Sequence, residues 1–242
     1  MSVLSVSDLT KSFGGFRAVH DLSLQVAPGE MRGLIGSNGA GKSTLLHLIY
    51  GRITPDQGSI HFREREVTAL PVPDRARMGM GLVFQVTSVF DGLTVEENLL
   101  LGALPKAPGE SQRLDQGAVE RITQLLELAQ VRHRFAGNLS HGEKRWLEIG
   151  MVLLTTPSLL LLDEPTSGMT QAESRRTAEL LQQLRFEGAV DAVIVVEHNI
   201  EFIKLVSDRV TVMHRGSVLA DGPIEDVQDD PAVQASFLGR LH

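Results

Sequence analysis

One octet constrains this chain more than any other feature: Gly36-Ser-Asn-Gly-Ala-Gly-Lys-Ser43. It stands between a short apolar run, Met31 to Ile35, and a stretch in which Leu45, Leu46, Leu48 and Ile49 share one broad helical face that ends at Gly51. Strand, glycine loop and helix form the setting in which this spacing cradles phosphate groups. Glycines carry no Cβ, so successive backbone N–H groups can curl around phosphate oxygens. A helix that starts near Lys42 turns its positive end toward the same anion. Gly36, Ser37, Asn38, Gly39, Ala40, Gly41, Lys42, Ser43 and Thr44 are therefore the predicted phosphate-binding residues. Lys42 is expected to reach the outer phosphates and Ser43 to ligate Mg²⁺. Without ligand, Lys42 is expected to face solvent.

The rest of the chain alternates strands and helices around a helical insert. Leu4, Val6 and Leu9 roughly alternate, and Leu22, Leu24 and Val26 do so strictly, as half-buried strands require. Turns are marked by Gly14-Gly15 and Pro28-Gly29, and further strands are read at Gly58–Phe62 and Gly79–Phe84. From about 86 to 156 the pattern is helical. Thr94…Glu97 and Ser140…Glu143 have capping-box spacing, and Val119, Ile122, Leu125, Leu126 and Ala129 share a helical period. A loop is expected over 105–109. After Pro157 the apolar strand Leu159–Leu162, a third capping box at Thr170…Glu173, the strand Ala192–Val196 and a short helix Ile200–Val206 follow in turn. Val210–His214 and Ser217–Ala220 flank Arg215-Gly216 as a hairpin, and the tail from Asp229 is a short helix at most. This is an α/β core split by a helical lobe.

Composition removes several classes of function. With no cysteine there is no disulfide and no cysteine-based metal site. A net charge of −7 and only nine Phe, one Tyr and one Trp argue against nucleic acid as a partner, since phosphate backbones call for a Lys and Arg surplus and bases for stacking platforms. No run approaches the length of a membrane span, and the N-terminus lacks a charged and then apolar leader. A cytoplasmic location is the expectation.

Asp163-Glu164 closes the strand Leu159–Leu162. Carboxylates at the carboxyl end of a parallel strand lie on the ligand-binding edge of such sheets. Asp163 is predicted to hold Mg²⁺ through water, and Glu164 to orient or deprotonate an attacking water. The alternative is a charged pair that merely opens a loop.

Five motifs in order now resemble the ATP-binding cassette of ABC transporters, over nearly the whole chain: the phosphate loop, Gln85, Leu139-Ser-His-Gly-Glu143, Asp163-Glu164 and His198. The resemblance implies a single ABC ATPase domain that binds and hydrolyses ATP with Mg²⁺. Its P-loop core spans 1–85 and 157–222 with an N-terminal antiparallel β subdomain. A helical subdomain spans 86–156, and a tail spans 223–242. It implies that Gln85 touches Mg²⁺ or the water and senses the membrane subunit, that His198 contacts the γ-phosphate, and that Phe13 stacks on adenine with Val19 lining the same pocket. Ser140 and Gly142 would complete the ATP site of a partner cassette. On the residues alone, Gln85 is a solvated loop residue, His198 a structural donor, Phe13 a core aromatic and Ser140 a helix cap.

Two positions depart from the family pattern: His141 replaces the first signature glycine, and Ser167-Gly-Met-Thr170 lacks the usual Asp. Leu139 to Gly150, Glu164 to Thr170 and the tail Phe237-Leu238-Gly239 look like the importers of urea and short-chain amides, which group with branched-chain amino-acid importers. That likeness implies two separate membrane permease subunits, a second cassette that is a paralogue or another copy, an indirectly coupled periplasmic binding protein, and a place on the inner face of the membrane. Val86 to Leu101 would face the permease, with Val89, Phe90 and Leu93 as contacts or as ordinary core. A branched-chain amino-acid importer, a lipid exporter and a soluble ABC ATPase of iron–sulfur assembly share these motifs.

Overall fold

The computed structural model describes residues 2–104 and 116–238, so the loop expected over 105–109 and Gly239 lie outside the described residues. Two sheets organise the chain. The first is antiparallel, in the order β2-β1-β4-β5, built from β1 (Leu4–Phe13), β2 (Phe16–Val26), β4 (Gln57–Phe62) and the two-residue β5 (Arg65–Glu66). The second has the order β10-β9-β3-β8-β7-β6 and contains β3 (Met31–Gly36), β6 (Met80–Val83), β7 (Leu159–Asp163), β8 (Ala192–Val196), β9 (Arg209–His214) and β10 (Ser217–Pro223). All its pairings are parallel except that of β10 with β9.

Both faces of the parallel sheet are covered, which is why its central strands β7 and β8 are apolar from Leu159 to Leu162 and from Ala192 to Val196. Side chains alternate across a strand. On β7, Leu159 and Leu161 enter the core under α1 (Lys42–Tyr50), where Leu45, Leu46, Leu48 and Ile49 join them. Leu160 and Leu162 enter the opposite core, against α6 (Gln171–Phe186) and α7 (Ile200–Val206). β8 divides in the same way, Ile194 and Val196 to the first core, Val193 and Val195 to the second. A third core gathers Leu99 of α3 (Val95–Gly102), Val119 of α4 (Gln116–Leu125) and Leu147 of α5 (His141–Leu153).

All three predicted capping boxes form, at Thr94, Ser140 and Thr170, each with reciprocal side-chain bonds. Two helices were not read from the sequence: α2 (Val72–Arg77) and α8 (Ile224–Gln228); the tail also holds α9 (Pro231–Leu238). α2 opens on Pro71-Val-Pro73, where proline suits a first helical turn. Its Arg75 is buried, donates to the Leu48 and Ile49 carbonyls at 2.8 and 2.6 Å, and so caps the negative end of α1. Burial pushes the Arg75 guanidinium down to about 10.

Candidate active site

Because β6, β7, β8 and β3 are parallel and adjacent, their carboxyl ends deliver four loops to one edge of the sheet. β3 delivers Gly36 and the phosphate loop, β6 delivers Gln85, β7 delivers Asp163 and Glu164, and β8 delivers His198. Residues 38–44 together with Gln85, Glu164 and His198 line a cavity of about 670 Å³ there.

Sequence parity directs the two carboxylates. Asp163 shares its face of β7 with Leu159 and Leu161, toward α1, and its Oδ1 accepts the Ser43 hydroxyl at 3.1 Å. Asp163 is 4% exposed, and burial pushes its carboxyl above the ordinary carboxylate range. Glu164 lies past the strand end, in the left-handed region at φ 47°, with its N–H bonded to the Val196 carbonyl. β7 sits between β6 and β8, so Glu164 sits between their loops. Its Oε2 accepts Gln85 Nε2 at 2.8 Å and its Oε1 accepts His198 Nε2 at 2.8 Å. His198 is itself held by Glu197, which sequence reading passed over. Glu197 is buried; it accepts the His198 N–H at 3.0 Å, and the Thr166 N–H and hydroxyl at 2.9 and 2.6 Å.

The phosphate loop shows why glycine is needed at two positions. Gly36 and Gly41 have φ of 154° and 102°. A Cβ on Gly36 would lie 2.3 Å from the Met213 carbonyl oxygen, and one on Gly41 would lie 2.2 Å from that of Ala18. Gly41 occupies the N-cap of α1 and no side chain bonds there.

Three expectations are corrected or sharpened. Lys42 does not face solvent: it is 6% exposed, and Nζ donates to the carbonyls of Gly36 at 2.8 Å and Ser37 at 3.2 Å. The ammonium group is satisfied on the loop's own carbonyls, and burial lowers its pKa. Val19 does not line a pocket: it is fully buried in the core beneath α1, where the pairing of β2 with β1 shifts register and Ala18 and Val19 are buried side by side. Phe13 is no core aromatic: it is 47% exposed at the end of β1, with Lys11 Nζ 5.6 Å from its ring centroid.

Ser140 and Gly142 do not join this cavity; they open α5 elsewhere. The Ser140 hydroxyl accepts the Glu143 N–H at 3.2 Å, and Glu143 accepts the Ser140 N–H at 2.7 Å. The two departures meet each other: a Cβ on Gly168 would lie 3.1 Å from His141 Cδ2. Glu173 lies beside them, 2.6 Å from where a Cβ on Gly142 would stand.

Residues 19–167 match the model of the ABC transporter family. The chain belongs to the ABC transporter family. As a member, this cassette binds and hydrolyses ATP. A lipopolysaccharide export system ATP-binding protein, LptB, of Acidithiobacillus ferridurans is 36% identical over 98% of this chain and 97% of its own length. A high-affinity branched-chain amino acid transport ATP-binding protein, LivG, of Salmonella typhimurium is 37% identical over 98% of each chain. Among solved structures, the ADP conformation of MJ1267, an ATP-binding cassette of an ABC transporter, superposes with a TM-score of 0.88 at 29% identity, covering 99% of this cassette and 100% of that chain. Among the described residues no helix is long and apolar enough to cross a membrane.

The pair Ser43 and Asp163 fits Mg²⁺. A hydroxyl and a buried carboxylate converge there, and burial leaves the carboxylate in need of a counter-charge. Among the described residues no cluster of three metal-ligating side chains exists. Mg²⁺ that is bound with phosphates and waters needs only one or two protein oxygens.

Proposed function

We propose that this chain is the ATP-hydrolysing subunit of an importer for urea or short-chain amides, working from the cytoplasmic face through two separate permease subunits and paired with a second cassette. The observation that carries the hydrolytic reading is Glu164, held between Gln85 and His198 on the edge of the cavity that the phosphate loop lines. On this reading the loop from Gly36 to Thr44 binds the phosphates, with Lys42 turning from its own carbonyls to the nucleotide. Phe13 stacks on adenine from its exposed position. Ser43 and Asp163 hold Mg²⁺, which supplies charge neutralisation of the phosphates when bound. Glu164 accepts a proton from the attacking water, Gln85 orients that water, and His198 donates to the γ-phosphate side. Ser140 and Gly142 serve the nucleotide of the partner cassette. The same arrangement supports the division into a core of 1–85 and 157–222, an insert of 86–156 and a tail from 223, since the third core lies between α3, α4 and α5.

The cargo rests on sequence likeness, in the stretches Leu139 to Gly150 and Glu164 to Thr170 and in Phe237-Leu238-Gly239. Within that stretch Trp146 locks α5 to α6, its Nε1 donating to Thr177 Oγ1 at 2.9 Å. A branched-chain amino acid is the second reading, favoured by the LivG relatives. Co-expression with two permeases and a binding protein of the same transporter, followed by uptake of labelled urea, acetamide and leucine, decides between them. Urea or acetamide uptake that stops with Glu164→Gln is expected; leucine uptake alone replaces the first reading with the second.

A further inference from the structure

Arg145 and Glu148 lie one turn apart on α5 and pair at 3.0 Å, their side chains 0% and 5% exposed. Two buried charges are costly to a fold unless further hydrogen bonds satisfy them. Those bonds all run to one place. Arg145 Nη1 donates to the Phe84 carbonyl and Nη2 to the Gln85 carbonyl, the latter at 2.6 Å. Glu148 Oε1 accepts the Ser88 N–H at 3.2 Å. The pair therefore grips the main chain on both sides of Gln85, whose side chain reaches Glu164. Arg145 Nε has no partner, so the guanidinium is aimed by its two outer nitrogens at a cost to the inner one. Beyond the grip, Val86 and Phe90 are exposed, and the Phe90 N–H is bonded to the buried Asn98 of α3.

We propose that Arg145 and Glu148 are a positioning pair for ATP hydrolysis, fixing Gln85 against Glu164 from the helix that Ser140 opens. The proposal rests on the roles given above to Gln85 and Glu164. A planar fork is needed, because two carbonyls and a carboxylate lie around one group; an ammonium point charge cannot hold all three in that geometry. The pair also makes α5 and the segment from Phe84 to Ser88 move together. A push on exposed Val86 is then felt at once by Gln85 and by the α5 N-terminus.

The test uses the full chain with Arg145→Met and Glu148→Leu combined, since replacing a buried ion pair by apolar residues of similar volume leaves no unpaired charge and is often neutral for stability. The melting temperature should stay near that of the wild type. The kcat should fall about tenfold or more, with KM for ATP within about threefold, because the phosphate loop is untouched. Amide exchange at Ser88 should accelerate. In a Gln85→Ala background the same double change should cost almost nothing more, which a merely structural role would not produce. Unchanged kcat in the folded variant, or an equal loss in the Gln85→Ala background, overturns the proposal. Arg145→Lys is read by the same criteria if the double variant does not fold; failure of both to fold makes the pair structural and also overturns it. The site reading fails separately, if Gln85→Ala and Glu164→Gln both turn over ATP at the wild-type rate.

Discussion

The N-termini of α1 and α5 are built on opposite plans. α1 opens at Gly41, in a left-handed conformation and with no side chain bonded to its first turn. α5 opens at Ser140, and a complete capping box satisfies its start from within. α3 and α6 follow the plan of α5, with Thr94 and Thr170 in the place of Ser140. A helix start left bare keeps its N–H groups for an external anion, whereas a boxed start has already paired two of them. The bare start faces a cavity inside the chain that also gathers Gln85, Glu164 and His198. At the boxed start Ser140 and His141 are exposed, and neither is among the residues that line that cavity. On the function proposed above, one chain carries a site that takes phosphate unaided and a rim that serves a phosphate brought by a second cassette.

The largest break in that comparison comes from Glu164→Gln. The amide keeps the size and the hydrogen bonding toward Gln85 and His198 but accepts no proton. General-base assistance is worth about 10²–10⁴-fold, and turnover should fall by that factor while ATP still binds. With hydrolysis arrested, ATP bound at the bare helix start should hold the rim of a second cassette against it. Sedimentation with ATP and without is expected to show a dimer in the variant. Wild-type turnover by Glu164→Gln rejects this residue as the base.

Lys42→Ala tests the bare start itself. Loss of one preorganised charge at the phosphates should cost about 10²–10³ in turnover. The empty chain also changes, because Lys42 holds the Gly36 and Ser37 carbonyls. Charge-assisted bonds of this kind are offset by the burial of the ammonium group, for a net loss of about 1–2 kcal/mol in urea unfolding. A variant as stable as the wild type would mean that those two bonds contribute nothing to the resting loop.

Much of this contrast was legible beforehand, because it is local. A capping box is four residues of sequence, and all three boxes formed where the spacing placed them. The parity of β7 is equally local, and it sends Asp163 toward Ser43. What the sequence hid depends on how the chain closes in space. Lys42 turns inward because Gly36 and Ser37 carbonyls happen to lie within its reach. Val19 is core where the pairing of β2 with β1 shifts register, so that Ala18 and Val19 are buried together. Nothing in the sequence singles out Arg145 and Glu148; only the fold brings Phe84 and Gln85 to them. α2 is short and opens on two prolines, and the contact that seats it, Arg75 capping α1, joins residues far apart in the chain.

Asp163→Asn sharpens the electrostatics of the bare start. Burial raises the Asp163 pKa in the folded chain above its unfolded value. A raised carboxyl favours the fold at low pH and loses that advantage as pH rises from the unfolded value through the folded one. Above that window the charged form weighs on the empty chain in full. Asparagine can still accept the Ser43 hydroxyl and carries no charge. Without nucleotide the variant should therefore be more stable than the wild type near neutral pH, with the difference vanishing as pH falls below the ordinary carboxylate range. Adding ATP and Mg²⁺ should reverse the order, since the wild type alone gains the metal. Equal urea midpoints across this pH range would show that Ser43 and the solvent already compensate the charge.

The smallest effect is expected at the rim of the boxed start. His141→Gly restores the residue common in the family and leaves the Ser140–Glu143 box intact, because neither bond of the box uses the position-141 side chain. It does release the ring that lies against Gly168, and glycine in the first turn of α5 costs about 0.5–1 kcal/mol of helix stability. Turnover in the assembled transporter should stay within about threefold of the wild type. Ser140→Arg is the contrasting change: it destroys the box and places bulk and positive charge where a partner's phosphate would approach. If Ser140→Arg inactivates the transporter and His141→Gly does not, the rim acts through Ser140 and the helix start. If both inactivate it equally, the contact between His141 and Gly168 is itself needed, and the rim cannot be understood as a capped helix end alone.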